Sequence, residues 1–193
     1  MIKNIFYNSL KVFLLLTLIT GIIYPLLVTG FGKIFFPSKS GGSLIYRNNE
    51  IIGSELIGQK FSGDKYFHGR PSINGYNTMP SSGSNYPVSG KAYRLKSDSI
   101  GNAFRIFNNT GENIPGEMIT YSASSLDPHI SKEAALLQVE RISRVRSFDK
   151  PEKEKLLQLI NENILPPQLG FLGEERLNVF KINLEIDNLN YGR

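Results

Sequence analysis

Between Lys11 and Lys33 the chain runs for 21 residues without a charge, VFLLLTLITGIIYPLLVTGFG. At about 1.5 Å per residue, a helix of that length matches the roughly 30 Å hydrocarbon core of a bilayer, and this limits what the first part of the chain can be. A cleaved export signal has a shorter apolar centre, roughly 7–15 residues, followed by small residues at the cleavage point. Here Tyr24 and Pro25 interrupt the run and bulky FGKIFF follows it. The expectation is a retained transmembrane helix over residues 12–32, preceded by a short segment, 1–11, and followed by one soluble domain, 33–193. Pro25 has no backbone donor and is expected to kink the helix by freeing a carbonyl near Gly21. Thr17 and Gly21 form a small-xxx-small pair through which another backbone can approach, so Gly21, Tyr24 and Pro25 are candidate docking residues within the membrane. Lys3 and Lys11 precede the span, and Lys33, Lys39 and Arg47 follow it. Such balanced flanks give no orientation.

The full chain has 193 residues and no cysteine. Disulfides, thiolate nucleophiles and Cys-based metal sites are therefore excluded. Setting aside Lys3 and Lys11 leaves 20 basic against 17 acidic residues, too small and scattered an excess to indicate nucleic acid.

After the span the chain reads as short extended pieces and loops as far as about Ser131. GSLIY and FRIF are the most strand-like, and Gly69 to Lys91 has no periodicity and reads as a long loop that contacts something. Ser131 can cap a helix that continues to Ser147, with Leu136, Val139, Ile142 and Val145 as its apolar face and Arg141, Arg144 and Arg146 mainly on other faces. A second helix starts at Pro151, carries Glu152 and Glu154 in its first turn, and stops before Pro166-Pro167. Phe180, Ile182, Leu184 and Ile186 alternate with polar residues, the pattern of a half-buried strand. The fold class expected is α+β, one N-terminal transmembrane helix followed by a mixed soluble domain.

Several motifs could carry chemistry. SASSLDPHIS, Ser122 to Ser131, holds the side-chain types of a hydrolase triad, but Pro128 makes Asp127 a turn residue, Ser131 is needed as a cap, and there is no GxSxG elbow. A serine hydrolase is thus the weaker reading, and turn formation, capping and docking through Asp127 and His129 the stronger. Ser62 and Lys65 match Ser-x-x-Lys, but the only Lys-Thr-Gly-like triplet, at Lys39, lies on the wrong side of them. Gly90-Lys91 fails as a P-loop because Asn85 and Ala92 occupy the required positions. His68 and His129 form no paired-His metal motif. No catalytic or metal-ligating set is assigned.

The ordered run of motifs is more specific. YPL at Tyr24, FFPSKSGGSL, GSELIGQKF, YFHGRPS, SSGSN, SASSLDPHIS, QVERISRVR and FLGEERLNVFKINLEID together resemble the C subunit (KdpC) family of the potassium-transporting P-type ATPase, the Kdp complex. The resemblance implies a non-catalytic accessory subunit of an ATP-driven potassium uptake complex. It would be anchored in the cell membrane with its soluble domain on the external side. Its implied partners are an ATP-hydrolysing subunit, a channel-like potassium-binding subunit and a small single-span subunit. The complex handles ATP and potassium, and this chain carries no covalently bound cofactor. Two roles follow from the resemblance: an assembly subunit covering the potassium entrance, or a catalytic chaperone promoting ATP use, with Gln138 as the candidate nucleotide contact. Family members usually carry Gly where Ser125 stands, and commonly Gln-Ala where Lys39-Ser40 stand. A serine at 125 is expected to require a negative φ.

Overall fold

The computed structural model describes residues 2–111 and 113–189. It divides into two compact units, Met1–Ser54 and Glu55–Arg193.

The first unit opens with a continuous helical stretch, Ile2–Phe35, long and apolar enough to cross a membrane. It consists of α1 (Ile2–Leu18), a π-helical turn (Ile19–Ile23) and α2 (Tyr24–Phe35). The π turn shows how Pro25 is accommodated. The Tyr24 N–H donates to the Ile19 carbonyl, five residues back, and Pro25 falls in the first turn of α2, where its missing donor is not needed. The helix therefore widens by one residue ahead of the proline. A short helix, α3 (Pro37–Ser40), leads to a hairpin of β1 (Leu44–Arg47) and β2 (Glu50–Ser54). Asn48 and Asn49 both take positive φ in its two-residue turn, as a tight hairpin with right-handed strand twist requires. GSLIY is thus a strand, as its composition suggests.

The second unit is mixed helix and strand. Its helices are α4 (Lys91–Asn108), α5 (Gly116–Ile119), α6 (Lys132–Val145), α7 (Lys150–Glu162) and α8 (Val179–Leu189). A small antiparallel sheet has β5 (Arg176–Asn178) at its centre, between β3 (His129–Ile130) and β4 (Ile164–Leu165). Ile130 pairs with Leu177 and Leu177 with Ile164. The core joins Ile130 and Leu177 of the sheet to Val139 and Ile142 of α6, Leu156 and Ile160 of α7, and Ile182 and Ile186 of α8. The α+β class holds.

Three local expectations are corrected. FRIF lies inside α4 rather than in a strand: Gly101, Phe104, Phe107 and Asn108 turn inward at helical spacing while Ile106 is 82% exposed. The alternating run at Phe180 is α8, not a strand. Val179, Phe180, Ile182, Asn183 and Ile186 are its buried residues, a helical pattern hidden in the sequence because one of its inward positions is an asparagine. In α6 the apolar residues Leu136 and Val145 are exposed, whereas Gln138 and Arg141 are buried alongside Val139 and Ile142.

The caps follow their chemistry. Ser131 Oγ accepts from the Ala134 N–H, opening α6. Asp149 and Glu152 form a reciprocal capping box that opens α7, with Pro151 in its first turn.

Candidate docking site

The segment 122–131 runs through the second unit as a strap, and the motifs around it are explained by what they do to it. Gly58 donates its N–H to the Leu126 carbonyl at 2.7 Å, and a Cβ there would stand 2.6 Å from the Asp127 carbonyl oxygen. Gly83 meets the strap as closely, its absent Cβ lying 2.9 Å from the Ala123 oxygen. Only glycine lets these backbones approach so near. The long loop is tied to the strap as well: Ser122 N–H donates to the Pro71 carbonyl and Ser81 Oγ to the Ser124 carbonyl. The residues from Gly69 to Gly90 therefore hold a defined path without regular secondary structure.

Ser125 overturns the expectation about its backbone. Its φ is +62°, in the left-handed region, and it is fully buried. Its hydroxyl donates to the Ser82 carbonyl, a bond glycine cannot make, which offsets the strain of the conformation.

Asp127 accepts from Arg70 Nη1 at 2.9 Å and from the His129 backbone N–H at 3.0 Å. The His129 ring nitrogen stands 3.7 Å away, beyond hydrogen-bond length. Burial would raise the Asp127 pKa, but the His129 side chain and backbone N–H and the Arg70 guanidinium all favour the carboxylate and bring it down to about 2. Among the described residues no serine hydroxyl bonds to His129. Ser131 Oγ caps α6, and Ser124 Oγ accepts from the Leu126 N–H. Ser124, Ser125, Asp127 and Ser131 thus use their side chains, and His129 its backbone N–H, in local structure.

Behind the strap, two buried amides grip two consecutive residues of YFHGRPS. Asn183 of α8 accepts from the Phe67 N–H at 2.8 Å and donates to the Phe67 carbonyl at 2.9 Å. Gln138 of α6 does the same for His68, at 2.8 and 3.0 Å. Each side chain acts as a short length of β-partner for an extended segment that, among the described residues, pairs with no strand. Gln138 also accepts from Arg141 and donates to the Ala134 carbonyl, so both its amide atoms are engaged within the chain. The residue is 1% exposed, and this geometry offers no free polar atom to a nucleotide.

Arg141 was not apparent as a structural residue in the sequence. It donates to Asn108 Oδ1 and the Tyr66 carbonyl, each at 2.9 Å, and to the Asp64 carbonyl, while its guanidinium stacks 4.5 Å over Phe107. Burial lowers its pKa to about 10, so it stays charged at neutral pH. His68, stacked on Phe107 at 5.1 Å, has its pKa lowered by burial and by the Arg141 charge and is neutral at pH 7. Only the i to i+3 spacing of Gln138 and Arg141, on the side of α6 that also carries Val139 and Ile142, could have revealed this set.

Two clefts flank Arg70. One, of about 530 Å³, is floored by Ile100, Phe104 and Phe107 of α4 and rimmed by Lys60 and Arg70. The other, about 450 Å³, is polar and lined by Asp127, His129, Glu117, Glu174 and Glu175. Asp127 and His129 are therefore brought together at an accessible surface. Gly21, Tyr24 and Pro25 lie in the first unit on an unburied helix, with nothing within 4 Å of a Cβ placed on Gly21.

The chain thus carries a long apolar N-terminal helix followed by an α+β unit rich in internal polar ties. Comparison with known proteins is specific. The family model described as "K+-transporting ATPase, c chain" matches residues 6–188. A "Potassium-transporting ATPase KdpC subunit" of Polynucleobacter asymbioticus is 44% identical, the alignment covering 96% of this chain and 98% of the relative. The proteins of that name from Polaromonas naphthalenivorans and Methylococcus capsulatus are 42% and 43% identical, covering 97% and 96% of this chain and 96% and 98% of their own lengths. The chain belongs to the KdpC family. With its one long apolar N-terminal helix it is a single-pass membrane protein.

Proposed function

We propose that this chain is the non-hydrolysing accessory subunit of an ATP-driven potassium uptake complex, and that its main work is to assemble and stabilise that complex. The observation that carries this reading is the state of the strap. Asp127, the one acidic member of its triad-like set, is committed to Arg70 and to the His129 backbone, and the strap's surroundings shape a surface rather than a reaction centre. The partners fitting the role are an ATP-hydrolysing subunit and a channel-like potassium-binding subunit, reached within the membrane through the face bearing Gly21, Tyr24 and Pro25. The second unit, on the external side, would cover the potassium entrance.

A role as catalytic chaperone is compatible with the same assembly, but it then works by conformational coupling across the membrane. The Gln138 amide is internally bonded, and an external domain does not meet cytoplasmic ATP. Sidedness decides between coupling and direct contact. The chain has no cysteine, so Val88→Cys, at a position 74% exposed, gives a background-free label site. A membrane-impermeant maleimide applied to sealed cells, with any outer envelope opened, should label it. Labelling only after the inner membrane is breached would make direct ATP contact the leading mechanism.

A further inference from the structure

The turn between β4 and β5 holds apolar side chains out in solvent. Gln168 and Leu172 exchange both backbone hydrogen bonds at 2.9 Å, and the Gly170 and Phe171 N–H groups donate back to Pro167 and Gln168. Pro166 and Pro167 stiffen its approach. The result is a closed turn from which Leu169 and Phe171 project, 83% and 73% exposed, with Leu172 half exposed beside them. Leu169 holds φ at +55°, a conformation unfavourable to a branched side chain and natural to glycine. An ordered turn that keeps a leucine in this state to point it into solvent forgoes stability that glycine would supply, and such strain collects where a surface has work to do.

We infer that this turn is a docking knob that inserts into an apolar socket, edged by lysine or arginine, on another subunit of the assembly. The charge around it selects a protein over a bilayer. Glu174 and Glu175 follow the knob directly and are exposed, and with Glu117 they edge the polar cleft beside it, against Arg176 and the already paired Arg70. An acidic collar is repelled by anionic headgroups and complements a basic rim. The closed turn also binds without an ordering cost, which favours a specific socket. This surface rests on the subunit reading above but is distinct from Asp127, His129 and the membrane face.

The test uses the full chain co-expressed with the other subunits. Leu169→Gly removes the side chain while relieving the backbone, so the isolated variant should melt no lower than its parent, yet assembly should weaken by at least about tenfold, as loss of a buried apolar anchor does. Phe171→Ser should weaken it similarly, and Glu174→Lys with Glu175→Lys should slow association, most at low salt. Benzoylphenylalanine at position 171 should crosslink to a partner protein. A Leu169→Gly, Phe171→Ser double variant that assembles as well as the parent overturns the knob alone. Crosslinks confined to lipid overturn it in favour of a membrane contact. If the unsubstituted chain fails to co-purify with any ATPase subunit, the subunit reading falls and the knob with it.

Discussion

The N-terminal helix and α6 invert the usual relation between hydropathy and burial. From Ile2 to Phe35 the side chains are overwhelmingly apolar, and none of them is buried. In α6 the mean hydropathy is low, yet Arg141 and Gln138 are among the most deeply buried side chains of the chain. The first helix needs nothing from its own chain because lipid or a partner helix supplies the apolar surroundings. The second buries polar groups because the extended pair Phe67 and His68, which among the described residues pairs with no strand, takes its backbone donors and acceptors from Asn183 and Gln138. Composition therefore reports the solvent a segment meets, whereas burial reports which backbone groups must be satisfied.

The largest expected loss is at Arg141. Arg141→Met keeps bulk and stem but leaves the Asn108 Oδ1 acceptor without its donor in the interior and takes one donor each from the Tyr66 carbonyl and Gln138 Oε1. A loss of about 3–5 kcal/mol is expected in urea unfolding of the second unit within the full chain, as for removal of one member of a buried polar set. Leu16→Ala, a larger loss of volume but on the uncovered helix, should leave that transition unchanged. Equal effects would mean that the amide and guanidinium ties are not what holds the Tyr66 to His68 segment.

The sequence made some of these elements plain and concealed others for the same physical reason. The Ser131 cap and the Pro151 start are local signals that depend on a few neighbouring residues, and each is where it was expected, while the uncharged run lies within a longer helix, Ile2–Phe35. The inward face of α8, and the Gln138 and Arg141 part of that of α6 beside the expected Val139 and Ile142, were missed because Gln138, Arg141 and Asn183 are polar residues whose partners lie about 70 to 116 positions away in sequence. Period counting treats such residues as solvent-facing. FRIF was misread because four residues cannot distinguish a strand from part of an amphipathic helix. Of the candidate docking residues, the pairing of Asp127 with its own turn was legible, since Asx-turn chemistry is local. Its ion pair with Arg70, 57 positions away, was not.

Asp127 differs from the apolar helix in that its stabilisation depends on pH. A carboxyl whose folded pKa is held at about 2, below its ordinary value of 3.8, stabilises the fold fully above the unfolded value, and this contribution is lost as pH falls through about 2. The pair is partly exposed, with side-chain exposures of 24% and 30% for Arg70 and Asp127, so screening reduces the contribution to about 1–2 kcal/mol. Asp127→Asn should therefore destabilise by that amount at pH 7, with the gap closing between pH 4 and 2 in an acid-unfolding series. In the assembled complex its transport defect should follow the amount of complex recovered. Fully assembled complex with turnover down by about a thousandfold would return the strap to chemistry.

The smallest expected effect tests the strap itself. Ser125 pays a conformational penalty of about 1–2 kcal/mol for its left-handed backbone and recovers about 1 kcal/mol through its bond to the Ser82 carbonyl. Ser125→Gly removes both terms and adds freedom to the unfolded chain, so thermal unfolding should place it within about 0.5 kcal/mol of the parent. Ser125→Ala removes only the bond, keeps the strain and leaves a buried carbonyl without its donor, so it should cost about 1–2 kcal/mol. The order of the two variants carries the test. If alanine were tolerated better than glycine, the positive φ would not be a real cost at this position, and the hydroxyl could no longer be what lets a serine stand where the backbone suits glycine.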